Sequence, residues 1–153
     1  MTSRVAVLNG PNLNLLGRRD PEVYGTATLA DVEDLCRSEG RALGLEVDCF
    51  QSNHEGALVD RVHQAHAEGE AVVGNFGAYT HTSVAIMDAL AVLTAPVVEV
   101  HLSNIHAREE FRHHSYVSRV ADAVIVGAGP HGYALALRHV AHLLDARGSR
   151  LQA

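Results

Sequence analysis

The chain has 153 residues, of which 47% are hydrophobic and 20% charged, so its composition is that of a globular protein with one core. Its formal net charge of −6 argues against nucleic acid as a partner, and no apolar run approaches the roughly 20 residues that span a bilayer. All 12 basic residues are arginine, which excludes a lysine Schiff base and a P-loop lysine.

Cysteine usage and the first residues indicate a reducing compartment. Cys36 and Cys49 are too few for a disulfide scaffold and too isolated for a zinc site. Residues 1–8 lack the long apolar stretch and the small-residue cleavage site of a secretory signal. We therefore expect a single cytoplasmic domain spanning residues 1–153, with no membrane partner.

Apolar patterning predicts five strands and four helices. In chain order these are strand 4–8, helix 28–43, strand 45–50, helix 55–67, strand 71–74, helix 80–93, strand 97–101, strand 121–126 and helix 133–146. Thr28 and Asp31 have the spacing of a capping box, and Gly44 follows the last residue of that helix. The alternation predicts an α/β three-layer sandwich with a five-stranded parallel sheet in the flavodoxin-like order 2-1-3-4-5.

In such a sheet, ligands bind beyond the carboxyl ends of the strands. That rule selects the connections 9–25, 51–55, 75–83, 101–112 and 127–132. The first is far longer than the roughly 2–6 residues usual for a strand-to-helix loop. Its length is typical of a lid or a binding loop.

The first connection contains Asn12, Arg19 and Tyr24. An asparagine amide can hold a water or a carbonyl oxygen in fixed geometry. A guanidinium close to a phenol stabilises the phenolate, so Arg19 and Tyr24 could form a general base without lysine or metal. The alternative is a surface loop in which Tyr24 only packs against the protein.

The third strand is followed by Asn75 and His81, at the start of a predicted helix. Free backbone N–H groups at a helix start favour an anion, and these two side chains could bind hydroxyls or a carboxylate. The alternative is ordinary helix capping by Thr80 or Ser83.

The fourth strand ends in two ionisable residues, Glu99 and His101, which are two apart and therefore share one face. A carboxylate beside a histidine orients the ring and favours its protonated form, which suits a general acid. The alternative is a buried histidine whose hydrogen bonds are all made within the protein and which has no catalytic role.

Arg108 and Arg112 are four residues apart, which predicts one face of a short helix that also carries Glu109 and Glu110. Arginine side chains are suited to binding carboxylates. The alternative is a set of ion pairs within the helix on a solvated face.

Five segments carry a resemblance to a known family. They are LNGPNLNLLGRRDPEVYG (8–25), QSNHEGALVDRVH (51–63), AYTHTS (78–83), VEVHLSNIHAREEFRHHSYVS (98–118) and GYALAL (132–137). In them the chain resembles the type II 3-dehydroquinate dehydratases of the shikimate and quinate pathways. The resemblance implies a lyase that converts 3-dehydroquinate to 3-dehydroshikimate by trans dehydration through an enolate, with no metal and no organic cofactor. An unrelated enzyme class uses a lysine imine for the same net reaction, and a chain without lysine cannot form one.

The resemblance also implies catalytic roles. Tyr24 would remove the proton alpha to the ketone, Arg19 would keep it ionised, and Asn12 would hold a water against the enolate oxygen. His101 would protonate the departing hydroxyl, with Glu99 setting its orientation.

Substrate binding and assembly follow from the same resemblance. The hydroxyls and carboxylate of the substrate would be bound by Asn75, His81, Leu102, Ser103 and Arg112. Asp88, on the predicted helix 80–93, would reach the site of a neighbouring subunit. Members of this family are dodecamers, each a tetramer of trimers. The resemblance therefore implies a homo-oligomer, and we expect it to act on a small molecule.

Without the resemblance, the residues themselves are compatible with two other functions. The same fold could form a non-catalytic flavin- or nucleotide-binding module. A histidine-dependent metal hydrolase is a third possibility, given 11 histidines.

The chain departs from the family pattern beside Asn75. Family members usually have proline after this asparagine, whereas this chain has Phe76, and Gly74 replaces a larger aliphatic residue. Proline fixes φ and removes a donor, and Phe76 does neither. We expect the substrate loop to be shaped differently here.

Overall fold

A parallel sheet of five strands forms the centre of the molecule. The computed structural model describes residues 2–152, with side chains described through residue 148. The strands are β1 (Ser3–Asn9), β2 (Leu45–Gln51), β3 (Ala71–Asn75), β4 (Val97–His101) and β5 (Ala123–Val126). The helices are α1 (Pro21–Tyr24), α2 (Leu29–Leu43), α3 (Glu55–Glu68), α4 (Val84–Ala91) and α5 (His131–Gln152).

The strand order β2-β1-β3-β4-β5 confirms the predicted flavodoxin-like topology. Asn9 pairs in parallel register with Gln51 on one side and with Asn75 on the other. On the next strand, Glu99 is aligned with Gly74. Polar residues from neighbouring strands therefore meet at one edge of the sheet, the edge at which such folds bind ligands.

An apolar layer covers each face of the sheet. The layer with α2 and α5 contains Val5, Val7, Val73, Val98 and Val100 from the strands. The layer with α3 and α4 contains Ala6, Leu8, Val72 and Val97. Residues 5–8 of β1 are fully buried without alternation, as expected for a parallel strand between two helical layers.

Helix α2 begins and ends where its sequence predicts. The Asp31 backbone N–H donates to Oγ1 of Thr28 at 3.2 Å, and the Thr28 backbone N–H donates to Oδ2 of Asp31 at 2.9 Å. The hydrogen bond from the Thr28 backbone N–H, followed by that from its side chain, lowers the pKa of the Asp31 carboxyl. Gly44 ends the helix with a φ of 70°, which favours glycine.

The predicted helix 80–93 is wrong at its start. A turn of 3₁₀ helix covers Gly77–His81, and α4 begins only at Val84. The Oγ of Ser83 accepts a hydrogen bond from the Ile86 N–H at 2.9 Å, so Ser83 caps a new helix rather than continuing an earlier one.

The predicted helix around Arg108 and Arg112 is also wrong. Two short 3₁₀ turns, Ile105–Ala107 and Glu110–Arg112, are separated by extended backbone at Arg108. The Arg108 carbonyl is 2.9 Å from Nε2 of His113, so a side chain replaces the hydrogen bond that a helix would supply. The two arginines do not share a helix face.

None of the helices in the described part of the chain combines the length and apolar character needed to cross a bilayer.

Candidate active site

A cavity of about 160 Å³ opens at the carboxyl edge of the sheet, where β1, β3 and β4 end. Pockets for drug-sized ligands usually enclose roughly 300–1,000 Å³, so this one suits a single small ring. Its lining includes Asn12, Arg19, Tyr24, Asn75, His81, His101, Leu102, Ser103, Arg108 and Arg112. Of the predicted site residues, Glu99 is buried behind His101, and Asp88 is exposed on α4, outside this cavity.

Tyr24 lies between two guanidinium groups. Its hydroxyl oxygen is 3.0 Å from Nη1 of Arg108 and 3.4 Å from Nη2 of Arg19. The Cζ atoms of Arg19 and Arg108 are 4.6 Å and 5.3 Å from the centroid of the tyrosine ring. Two cationic donors thus face the phenol oxygen, which makes Tyr24 the candidate general base of the cavity.

The local chain explains how Tyr24 reaches this position. Pro21 opens the four-residue helix α1, where its fixed φ is already helical and its missing N–H is not needed. Tyr24 is the last residue of that turn, and Gly25 follows with a φ of 76°, so the chain turns away at once.

Arg108 also connects Tyr24, through Glu109, to Arg112. Its Nη1 is 3.4 Å from Oγ of Ser103, and its Nε is 3.8 Å from Oε2 of Glu109. The same carboxylate oxygen accepts a hydrogen bond from Nε of Arg112 at 2.8 Å. Glu109 therefore holds both arginines at the cavity, whose strongly positive wall suits an anionic ligand.

A buried carboxylate supports His101. The Nε2 of His101 is 2.5 Å from Oε2 of Glu99, and the hydroxyls of Ser115 and Ser118 donate to Glu99 at 2.8 Å and 2.5 Å. Burial alone would raise the pKa of Glu99, but the bonds from His101 and Ser118 outweigh it and hold that pKa below its ordinary value. Since Nε2 of His101 is engaged with Glu99, Nδ1 is the nitrogen left for a ligand.

His81 stacks on His101, with ring centroids 6.3 Å apart and planes inclined by 19°. Its Nδ1 is 2.8 Å from the backbone oxygen of His114, and only a protonated Nδ1 can donate to a carbonyl. Burial lowers the pKa of His81, which favours a neutral ring with Nε2 as an acceptor.

Asn75 is held by a hydrogen-bonded chain inside the protein. Its Nδ2 donates to the Tyr133 hydroxyl at 2.9 Å, and that hydroxyl donates to Oδ1 of Asn9 at 2.6 Å. Its Oδ1 accepts from the Gly77 N–H at 3.3 Å. Burial raises the pKa of Tyr133, so the phenol stays neutral and keeps the proton it donates.

Phe76 does not face the cavity. Its side chain is fully buried in the apolar layer beside Leu8, Leu58 and Ile86, whereas Asn75 and Gly77 line the cavity on either side of it in sequence. The residue that departs from the family pattern therefore contacts the core.

Within the side chains that the structure describes, no three His, Cys, Asp or Glu residues are grouped as metal ligands.

Comparison with known proteins now decides the family. The sequence model of dehydroquinase class II matches residues 3–141. The chain belongs to this family. It is 58% identical over 147 residues to a 3-dehydroquinate dehydratase of Methylobacterium radiotolerans, covering 96% of this chain and 99% of that one. It is 54% identical over 141 residues to a catabolic 3-dehydroquinase of Emericella nidulans, covering 92% of each chain.

A solved structure agrees with the sequence relatives. The type II dehydroquinase from Propionibacterium acnes is 48% identical and superimposes with a TM-score of 0.90, covering 93% of this chain and 98% of that one. The flavodoxin-like sheet described above is thus the fold of class II dehydroquinases.

Three residues around this class II dehydroquinase site were not among the sequence predictions. For Arg108 the sequence predicts carboxylate binding or an ion pair within a helix but no contact with Tyr24, and for Tyr133 and Asn53 it predicts no role. Arg108 bonds to Tyr24, Tyr133 bonds to Asn75, and Asn53 bonds to the backbone of Asn12. One feature of the sequence points to a role for all three residues near the site: each lies in a segment that resembles the family.

Proposed function

We propose that the chain catalyses the trans dehydration of 3-dehydroquinate to 3-dehydroshikimate, a step of the shikimate and quinate pathways. Membership of the class II dehydroquinase family and relatives named 3-dehydroquinate dehydratase support the reaction. The observation that carries the mechanism is the Tyr24 hydroxyl between Arg19 and Arg108, in a cavity that also contains His101.

In the first proposed step, the Tyr24 phenolate takes a proton from the carbon alpha to the ketone. The electron pair of the broken C–H bond moves to the ketone oxygen and gives an enolate. A water held by the side chain of Asn12 stabilises that oxygen. The guanidinium groups of Arg19 and Arg108 donate hydrogen bonds to the phenol oxygen that receives the proton.

In the second step, the enolate re-forms the ketone and expels the β-hydroxyl. The C–O bond breaks, and His101 gives its proton to the departing oxygen, so that water leaves. Glu99 stabilises the protonated ring before the step and orients it. The proton on Tyr24 then returns to His101 through solvent, which restores both residues for the next turnover.

The remaining polar residues of the cavity bind the substrate in this proposal. Arg112 offers a planar pair of donors to the carboxylate. Asn75, His81 and Ser103, with Leu102, contact the ring hydroxyls. Because His81 is favoured as neutral, its Nε2 accepts from a hydroxyl instead of competing for the carboxylate.

We further propose that the chain works as a dodecamer, a tetramer of trimers, in the cytoplasm. Asp88 is exposed on α4, and Val84 and Val92 near the two ends of that helix are 47% and 51% exposed. An apolar face with one carboxylate supports contact with another copy, whose cavity Asp88 would reach. Light scattering of the purified chain tests the size, and a monomer would contradict it.

One assay tests the reaction. The conjugated enone of the product absorbs in the ultraviolet, so 3-dehydroquinate is mixed with protein purified in chelator. We expect product to form at a rate that EDTA does not change, because only side-chain proton transfers are needed. Earlier exposure of the protein to substrate and borohydride, both removed before the assay, should also leave the rate unchanged, because no imine forms. Absence of product, together with a flavin or nucleotide that copurifies, would contradict the proposal and favour the binding module.

A further inference from the structure

The backbone at Asn12 has an unusual conformation. Its φ of 67° and ψ of −4° lie in the left-handed region, which residues other than glycine seldom adopt. Asn12 lines the cavity at the start of the short turn Leu13–Leu15. Since a left-handed residue persists only where its surroundings determine it, something must hold this backbone in place.

Asn53 supplies that support from the next strand end. Its side-chain Oδ1 accepts a hydrogen bond from the Asn12 backbone N–H at 2.9 Å. The same oxygen accepts from Nε2 of Gln51 at 3.2 Å, and that nitrogen is also 3.1 Å from the carbonyl of Gly10. Two points of the Asn12 loop are thereby fixed, one to the last residue of β2 and one to the segment that follows it.

The turn that follows β3 fixes Asn53 itself. The Tyr79 hydroxyl donates to the backbone oxygen of Asn53 at 2.6 Å. Tyr79 belongs to the 3₁₀ turn Gly77–His81, which carries His81 into the cavity. A chain of hydrogen bonds therefore runs from this turn, through Asn53, to the backbone of Asn12.

We propose that Asn53 is a positioning residue for proton abstraction, because its side-chain oxygen holds Asn12 in the left-handed conformation that directs the amide toward the enolate oxygen. The inference rests on the proposed function, in which Asn12 holds the water that stabilises the enolate. Asn53 acts through Asn12 and does not contact the substrate. The amide oxygen of Asn53 carries this role, so a carboxylate in its place would retain it.

Two substitutions at position 53 test the role. Asn53→Ala removes the acceptor, and we expect kcat to fall about 10- to 100-fold, the scale expected when a positioned group shifts by about 1 Å. KM should change less than threefold, since substrate contacts remain. The primary isotope effect with substrate deuterated at the alpha carbon should rise, because abstraction slows. Asn53→Asp keeps the acceptor and should restore kcat to within about threefold of the parent.

A double-substitution cycle shows whether Asn53 acts through Asn12. In an Asn12→Ala background, Asn53→Ala should change kcat less than twofold. Full additivity of the two losses, or an Asn53→Asp enzyme as slow as Asn53→Ala, would overturn the positioning role. If Asn12→Ala alone leaves kcat unchanged, the role proposed for Asn12 fails instead, and the two failures are thereby distinguished.

A second site gives the same information if Asn53→Ala does not fold. Tyr79→Phe keeps the ring but removes the bond to the Asn53 carbonyl, and circular dichroism reports whether the fold is kept. We expect a smaller fall in kcat, about three- to tenfold, with the same rise in isotope effect. An unchanged kcat and isotope effect in a folded Tyr79→Phe enzyme would overturn the chain of bonds from the turn to Asn12.

Discussion

The aromatic ring of Phe76 occupies the space beside the Cα of Gly74. A Cβ at position 74 would lie 2.2 Å from Cε2 of that ring, which no real side chain tolerates. Glycine at position 74 and the ring at position 76 are therefore complementary: the ring fills the volume that a larger side chain at position 74 would take. This explains how an aromatic residue follows Asn75 without entering the cavity.

That relationship predicts strong coupling between the two positions. Phe76→Ala alone should lower the free energy of unfolding by about 3–5 kcal/mol, because it leaves a cavity. Gly74→Leu alone should also destabilise, by about 1–3 kcal/mol or more, because the new side chain meets the ring. The double variant should be more stable than the sum of the two losses predicts, by about 1 kcal/mol or more, in urea denaturation.

A distant pair provides the control for this coupling. Leu45 lies in the opposite apolar layer, so Leu45→Ala combined with Phe76→Ala should be additive within about 0.5 kcal/mol. Additivity in the Gly74 and Phe76 pair as well would show that the two departures are independent.

Tyr24→Phe should lower kcat by about 10²- to 10⁴-fold, since it removes only the group that takes the alpha proton. The side chain is half-buried at the cavity, so the circular dichroism spectrum should not change. Tyr116→Phe is a matched control, because Tyr116 is half-buried outside the cavity and packs against His114. Near-parent turnover by Tyr24→Phe would remove Tyr24 as the base.

His101→Ala should separate the two proposed steps. Loss of the general acid slows departure of the hydroxyl, so dehydration should fall by about 10²-fold or more. Tyr24 is intact, so exchange of the alpha proton with deuterated solvent should continue and be visible by NMR. If exchange stops together with dehydration, His101 takes part in the first step and the assignment must change.

Glu99→Gln should reduce the acid sensitivity of the fold. The pKa of Glu99 is lowered in the folded chain, so the unfolded chain takes up the proton first as the pH falls. The stability that this carboxylate contributes is therefore present above its ordinary pKa of about 4.3 and is lost as the pH falls below that value. Urea denaturation from pH 7 to pH 3 should show the parent and the variant converging, and a constant difference would contradict the linkage.

Tyr133→Phe should affect both stability and substrate binding. It removes the hydroxyl that joins Asn75 to Asn9 inside the core, and buried amides left without a partner cost about 1–3 kcal/mol of unfolding free energy. Because Asn75 loses its anchor, KM should rise about fivefold, as expected for one hydrogen bond worth about 1 kcal/mol, while kcat changes little. A rise in neither KM nor urea sensitivity would show that Asn75 is held by other contacts.

Most of the fold could be predicted because its causes are local. Continuous apolar runs predict strands buried on both faces, and the capping box at Thr28 with Gly44 predicts both ends of α2. The start of α4 and the path around Arg108 could not be predicted in this way. There a Ser83 cap and a His113 contact to the Arg108 carbonyl replace helical hydrogen bonds, and periodicity does not report such side-chain choices.

The candidate site could likewise be predicted only where its contacts are local in sequence. Glu99 and His101 are paired because alternate residues of a strand share a face, and that could be predicted from spacing alone. The contact of Arg108 with Tyr24 spans 84 residues, and that of Tyr133 with Asn9 spans 124. Only the folded chain creates such contacts, so sequence spacing gives no sign of them.

Glu99 is aligned with Gly74 on the neighbouring strand, so the face on which Glu99 and His101 lie depends on the number of residues in β4. Side chains alternate between faces, so one residue inserted into β4 before Glu99 would turn this carboxylate and His101 toward the layer of α2 and α5. The inserted residue or Val98 would then stand beside Ser115 and Ser118, and a charge would enter an aliphatic layer. We therefore expect a change of one residue in the length of β4 to remove both Glu99 and His101 from the site.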